Sequence, residues 1–171
     1  MNTTANSDRI RAAARRLRAA ALAGAFALAA IALAAALARP ASGPVAAVLD
    51  AGGLPRAWAT AIALLVAGLT VAALLSLARM LGQVAAGTFF AAAATAHFRR
   101  FAGWLLLAAA VQIVLPLAAT AWLAFNAGAP GAALGIDVGD VLLLFLATLL
   151  FFVARLFDEA ARLDEDNRSI V

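Results

Sequence analysis

The sequence predicts an all-α integral membrane protein: a four-helix bundle forming one membrane domain over residues 1–171. The first observation is composition, since 66% of the residues are hydrophobic, against about 45–50% in soluble domains. The second is length, because four apolar runs approach the roughly 20 helical residues that cross a bilayer core of about 30 Å. So much apolar surface cannot be buried in one soluble core, and we expect it to face lipid.

The predicted spans are apolar runs at about residues 19–38, 57–78, 103–125 and 138–154. The first is mostly alanine, and small side chains let helices approach closely, so we expect it to pack inside the bundle. The fourth is rich in Leu and Phe, so one of its faces is expected to meet lipid. Indole rings favour the membrane–water interface, and three tryptophans lie near run ends: Trp58, Trp104 and Trp122.

An alternative interpretation of the first run is a cleaved signal peptide. A basic start and the segment Ala36-Leu37-Ala38 resemble such a peptide. The run is longer than the usual apolar region of about 7–15 residues, so we expect it to be retained as a span.

Residues 82–101 connect spans 2 and 3, and within them an amphipathic interfacial helix is predicted to begin at Phe89, with Thr88 as its cap, and to turn into span 3. Aromatic, histidine and basic side chains recur there close to helical spacing: Phe90, His97, Phe101, Arg99 and Arg100. An ordinary surface role is favoured for His97, with interfacial packing or a pH response as the alternative. A metal site is disfavoured, because neither Cys nor an acidic residue is nearby in the sequence.

Polar residues recur on one face of span 3 at Gln112, Pro116 and Thr120. Pro116 cannot donate to the carbonyl of residue 112, so we expect a local kink. Buried amides in membranes usually hydrogen-bond a neighbouring helix, for roughly 1 kcal/mol, and we expect this of Gln112. A polar transport path is the alternative. Such a path normally needs several ionisable groups, and no charge is expected within a span.

Asp137 and Asp140 lie at the start of span 4, where negative charge suits a helix N-terminus. Two carboxylates three residues apart also suggest a cation site or an acid–base pair. Because no third ligand or partnering base accompanies them, helix capping is the favoured interpretation.

The C-terminal tail, residues 155–171, follows span 4 without an intervening proline or glycine. Opposite charges recur in it at i, i+4 spacing, in the pairs Arg155/Glu159, Asp158/Arg162 and Arg162/Asp166. Such pairs stabilise a helix by a few tenths of a kcal/mol each. We therefore expect span 4 to continue as a helical extension into the cytoplasm.

Arginine distribution predicts the orientation. Five arginines precede span 1, three flank the connection between spans 2 and 3, and three lie in the tail, against two in the first connection and none in the third. Cytoplasmic loops carry the excess of basic residues, so both termini are expected in the cytoplasm, in a multi-pass protein of the inner (plasma) membrane.

No catalytic, cofactor-binding or metal site is predicted. The chain has no cysteine, and it shows no nucleophile–base pair, metal triad or phosphate loop, so we expect a protein that is not an enzyme. The arginines sit at the ends of apolar runs, and the five before span 1 have no interleaved aromatics, so direct nucleic-acid contact is not expected.

The second half of the chain, about residues 75–171, resembles the bacterial membrane family catalogued as domain of unknown function 2975. The resemblance rests on Gly87-Thr-Phe89 ahead of Arg99-Arg100, and on Phe157-Asp-Glu-Ala160-Ala-Arg-Leu163 followed by Asp164-Glu-Asp-Asn-Arg-Ser-Ile-Val171. It implies a small four-span protein with no catalytic residue. Genes of that family often lie beside small helix-turn-helix regulators, which implies a regulatory partner.

The expected function is therefore a non-enzymatic membrane protein, regulatory or sensory. It would engage a cytoplasmic partner, for which a small helix-turn-helix regulator is the candidate, through residues 82–101 and the tail 155–171. A small transporter or channel subunit is the alternative. Homo-oligomerisation is also expected to be feasible, because four short spans with alanine-rich faces leave surface to share.

Overall fold

Four long helices make up almost all of the structure. The computed structural model describes residues 3–37, 54–86, 92–127 and 137–169. They form α1 (Thr3–Leu37), α2 (Arg56–Ala85), α3 (Ala92–Ala127) and α4 (Val138–Ser169), and none of the described residues is in a strand. Each helix is long and apolar enough to cross a membrane, so the four helices expected from the apolar runs are present.

The helices extend well beyond the predicted spans. Helix α1 begins at Thr3, and α4 continues as far as Ser169. Their flanks contain mainly alanine, arginine, leucine and acidic residues, most of them good helix formers, and no proline interrupts them. Helix formation therefore continues where the apolar run stops.

The predicted interfacial helix is not a separate element in the described residues. Residues 92–101 form the first turns of α3, which runs unbroken through Pro116 to Ala127. Residues 82–85 are the last residues of α2, and residues 87–91, with the predicted cap Thr88 and the predicted first residue Phe89, lie outside the described residues.

The helices pack in chain order, α1 against α2, α2 against α3 and α3 against α4. Every buried hydrophobic residue in the described parts of the chain is an alanine, and Ala73, Ala102 and Ala154 are completely buried. Small side chains at the contacts let neighbouring backbones approach closely. Alanines thus form the helix contacts in all four helices. Span 1, expected inside the bundle, packs mainly against α2 and leaves Phe26 and Leu37 exposed.

Large apolar side chains point outward from this alanine core. Leucine, phenylalanine and tryptophan dominate the exposed hydrophobic residues, including Trp58, Trp104 and Trp122. On α4 many leucines and phenylalanines are exposed, as the sequence predicted for its lipid face. The fold therefore places large apolar side chains on the surface that a bilayer would surround, and small residues where helices meet.

Candidate functional site

The first candidate site is the end of the bundle where α1, α2, α3 and α4 bring their charged segments together. We call it the charged end, and it comprises Arg18, Gly82, residues 95–101 and residues 155–163. The guanidinium of Arg18, from α1, lies over Gly82 of α2. A Cβ added at Gly82 would lie 3.2 Å from Arg18 Nη1. The absence of a side chain at Gly82 thus leaves room for the arginine of the neighbouring helix.

An ion pair joins α3 to α4 at the charged end. The Arg99 guanidinium donates to the carboxylate of Asp158, with both side chains partly exposed. The ring of Phe98 meets that of Phe157 edge-on at a centroid distance of 6.2 Å, and it also lies 6.2 Å from the ring of Phe101. Parts of the two segments singled out in the sequence, 82–101 and the tail, are therefore in direct contact.

This contact changes the predicted pairing within the tail. Asp158 pairs with Arg99 of α3, while Arg162 Nη1 lies 3.9 Å from Glu159 Oε2, a spacing of i, i+3. Among the described side chains no Arg155–Glu159 or Asp158–Arg162 ion pair forms, and the side chain of Asp166 lies outside them. Close α3–α4 packing brings Arg99 within reach of Asp158.

His97 is not the ordinary surface residue that was favoured. It is half-buried, and its Nδ1 atom is buried without a hydrogen-bond partner. Position 97 lies in the first turns of a helix that packs against both α2 and α4, so its ring is partly covered. In the described parts of the chain, no three potential metal ligands come together.

The second candidate site is a polar pair between α3 and α4. Gln112 Nε2 donates to Asp140 Oδ1 at 3.4 Å. The expectation that Gln112 hydrogen-bonds a neighbouring helix is therefore confirmed. Thr120, predicted on the same face, instead donates to the carbonyl of Pro116 in its own helix, at 2.9 Å.

The antiparallel register places this pair well inside the apolar length of α3. Gln112 lies 13 residues, about 20 Å, beyond Arg99, and α3 stays apolar for another 13 residues to Phe125. Helix α4 has only 14 residues without a charge between Asp140 and Arg155, about 21 Å, which is shorter than a bilayer core of about 30 Å. Asp140 lies in the first turn of α4, at the start of the candidate span Val138–Ala160.

Asp137 and Asp140 have different roles, although the sequence favoured capping for both. Asp137 precedes the first helical residue, and its Oδ2 accepts from the N–H of Gly139 at 3.3 Å, as an N-cap does. Asp140 lies in the first turn but directs its carboxylate to Gln112 of α3. Capping is confirmed for Asp137, and a contact between helices is added for Asp140.

Sequence reasoning did not identify the partners in two polar contacts between distant residues, Arg99 with Asp158 and Gln112 with Asp140. Their members are 59 and 28 residues apart, so neither obeys a local spacing rule. The available signal was that each pair joins a hydrogen-bond donor to a carboxylate at matching positions along two antiparallel spans.

Comparison with known proteins gives a match to a protein family. No curated protein and no solved structure matches the chain significantly. Residues 54–171, which include α2, α3 and α4, match a family described as "Protein of unknown function (DUF2975)". The resemblance noted for the second half therefore extends back to the start of α2. Since the match covers more than half of the sequence, the chain belongs to the DUF2975 family.

Proposed function

We propose that this chain is a non-enzymatic, regulatory or sensory protein of the bacterial inner membrane, with both termini in the cytoplasm. It engages a soluble cytoplasmic partner at the charged end, through residues 82–101 and 155–171. A small helix-turn-helix regulator is the candidate partner. The arginine distribution supports this orientation, because the segments rich in arginine lie in the N-terminal half of α1, flank the α2–α3 connection and lie in the C-terminal half of α4.

The observation that carries the proposal is the contact of Arg99 and Phe98 with Asp158 and Phe157. It makes one composite surface from two segments that are far apart in sequence. Around it, Arg100, Arg155, Glu159 and Arg162 remain exposed. A surface with both signs of charge and exposed apolar side chains suits protein recognition better than binding to the uniformly negative nucleic-acid backbone.

Geometry also suggests how a signal would pass. Asp158 lies where α4 leaves its apolar run, so a change in α3–α4 packing within the bilayer alters the geometry of the ion pair. A partner that binds only when Phe98 and Phe157 are in contact would detect that change, because binding shifts a conformational equilibrium only by differential affinity.

Truncation tests the proposal. Removing residues 158–171 should abolish co-purification of a small helix-turn-helix regulator from the same genome, while membrane insertion is retained. The matched control is Asn126→Ala, at the opposite end of α3, where the side chain only donates to its own helix at Trp122. Unchanged recovery of the regulator with the truncated chain would reject the proposal.

The polar pair favours a second candidate function, a small transporter or channel subunit. Ionisable residues within a span are rare and usually belong to an ion or substrate path. Asp140 and Gln112 supply a carboxylate and an amide at one depth, and Pro116 leaves the carbonyl of residue 112 without its usual intrahelical donor. Oxygen atoms of these three groups are suitable for a hard cation.

Flux in reconstituted vesicles tests this alternative. Gln112→Leu and Asp140→Asn should each lower proton or Na⁺ flux several-fold relative to the native chain. Thr148→Val is the matched control, because Thr148 is also in α4 but donates only to the carbonyl of Leu144, at 2.8 Å. Equal flux in all four proteins would remove the support for a transport role.

A further inference from the structure

Helix α4 has two opposite faces of different composition. The face toward α3 presents Ala147 and Ala154, which are buried, together with the ion-paired Asp158. At 100° per residue, the diametrically opposite face carries a stripe of large apolar side chains, each 45–59% exposed: Leu142, Phe145, Leu149, Phe152, Leu156 and Leu163. We call this set the α4 stripe.

The spacing of the α4 stripe is that of a coiled coil. Its members follow one another by 3, 4, 3 and 4 residues from Leu142 to Leu156, and Leu163 lies 7 residues further. A 3-4 alternation of apolar residues places them at positions a and d of a heptad, the seam along which two helices associate. Leu142, Leu149, Leu156 and Leu163 occupy a, while Phe145, Phe152 and Glu159 occupy d.

The α4 stripe continues past the point where lipid can cover it. Leu156 and Leu163 are interleaved with Arg155, Glu159 and Arg162, charged groups that belong in water. Lipid can cover the first half of the stripe without a partner, but water would surround the last part. One helix that matches the heptad over its whole length would cover both.

We propose that the α4 stripe is the interface of a parallel homodimer, formed by α4 from two copies of this chain. A second copy is the occupant that the pattern favours, because a heptad seam is complementary to itself when the two helices run parallel. Two copies inserted in the same direction are already parallel. This inference goes beyond the proposed partner function and does not depend on it.

The available area fits a dimer of ordinary size. With the flanking Leu146 and Val153, also exposed, the stripe offers roughly 80–100 Å² on each of eight side chains, or about 700 Å² per copy. Standard interfaces bury about 800 Å² per partner. Within lipid this area stabilises the dimer through van der Waals packing. Only the Leu156–Leu163 part stabilises it by removing apolar surface from water.

Glu159 interrupts the α4 stripe, and replacing it tests the proposed interface. Glu159 occupies a d position, so two copies would bring two carboxylates together across the seam. Arg162 of the same chain lies 3.9 Å from that carboxylate and offsets part of the repulsion. Replacing Glu159 by leucine should therefore strengthen the dimer, whereas the same change would have no such effect on a helix that stays alone.

Single-cysteine crosslinking provides the direct test, since the chain has no cysteine of its own. Leu163→Cys lies on the α4 stripe, whereas the adjacent Arg162→Cys is also exposed but points about 100° away. In vesicles of the full-length protein treated with a thiol oxidant, Leu163→Cys should form the disulfide dimer at least about tenfold faster. The same ratio is expected for Leu156→Cys over Arg155→Cys.

Dilution and Glu159→Leu complete the experiment. The difference in crosslinking should persist when the protein is diluted tenfold into additional lipid, and Glu159→Leu should raise the dimer fraction several-fold. Equal rates at 162 and 163 would overturn the proposal, as would crosslinking of Leu163→Cys to a different protein. A Glu159→Leu protein that dimerises less than the native chain would overturn the assigned register.

Discussion

Arg99 and Asp158, 59 residues apart in the chain, form the ion pair that links the start of α3 to the end of the apolar part of α4. Completely buried Ala102 and Ala154 flank them on the two helices, so the backbones approach closely at this level. The tail is thereby held by a tertiary contact in addition to its own helical hydrogen bonds.

Removal of this ion pair should loosen the tail with little effect on the whole protein. Exposed pairs contribute about 0.2–1 kcal/mol, so Asp158→Asn should lower the free energy of unfolding by less than about 1 kcal/mol. Amide hydrogen exchange of residues 155–163 should rise several-fold, because the contact is local.

Glu159→Gln is the matched control, since Glu159 pairs only with Arg162 of its own helix in the described contacts. It should leave exchange in the tail nearly unchanged. Exchanging the charges, with Arg99→Asp and Asp158→Arg together, should restore protection. If the exchanged protein were as unprotected as the single variant, the ion pair would not be what holds the tail.

Two glycines of α2 should respond differently to alanine. Gly68 has no atom within 4 Å of an added Cβ, so Gly68→Ala should stabilise the protein by up to about 1 kcal/mol through helix propensity. At Gly82 the added Cβ would lie 3.2 Å from Arg18 Nη1, and the guanidinium must move. The gain there should therefore be smaller.

An Arg18→Ala background separates the two effects at Gly82. In that background, Gly82→Ala should recover the full gain seen at Gly68, as measured by the unfolding free energy in mixed detergent micelles. A gain at Gly82 that is independent of Arg18 would mean that the arginine does not lie over this glycine.

Overpacking of the alanine contact should separate α3 from α4. Ala154 is completely buried on the helix face that meets α3, so Ala154→Leu should destabilise the protein by about 1–3 kcal/mol. Its neighbour Val153 is exposed, and Val153→Leu should change stability by no more than about 0.5 kcal/mol. Similar values for the two variants in a thermal unfolding series would contradict the observed packing.

The number of helices could be predicted from the sequence, but not all of their ends, and not their faces. Runs of about 20 apolar residues specify a span because backbone groups in lipid must be paired within the helix. Helix α1 begins earlier than its apolar run, at Thr3, because the preceding residues also form helix. The continuation of α4 to Ser169 is the helical extension that the charge pairs of the tail predicted. Alanine is apolar like the residues that face lipid, so hydropathy does not distinguish the contact faces of α3 and α4 from their lipid-facing sides.

The same reason explains what was missed at the candidate sites. Asp158 had a plausible partner four residues away in Arg162, and local spacing favoured it over Arg99. Capping accounted for Asp140 because sequence position describes the helix start but not its depth. Only the antiparallel register of α3 and α4 places Asp140 beside Gln112.

The Gln112–Asp140 pair should show a non-additive effect on stability, whatever its role in transport. Gln112→Leu leaves the Asp140 carboxylate without this hydrogen-bond donor, and loss of a typical hydrogen bond costs about 0.5–1.5 kcal/mol. The double variant Gln112→Leu with Asp140→Leu removes both polar groups and should be less destabilised than Gln112→Leu alone. The unfolding free energies of the native chain, the two single leucine variants and the double variant, measured in one detergent system, give the coupling energy between the two side chains directly. Strictly additive changes would mean that the two side chains do not interact and that Asp140 is solvated from the membrane surface.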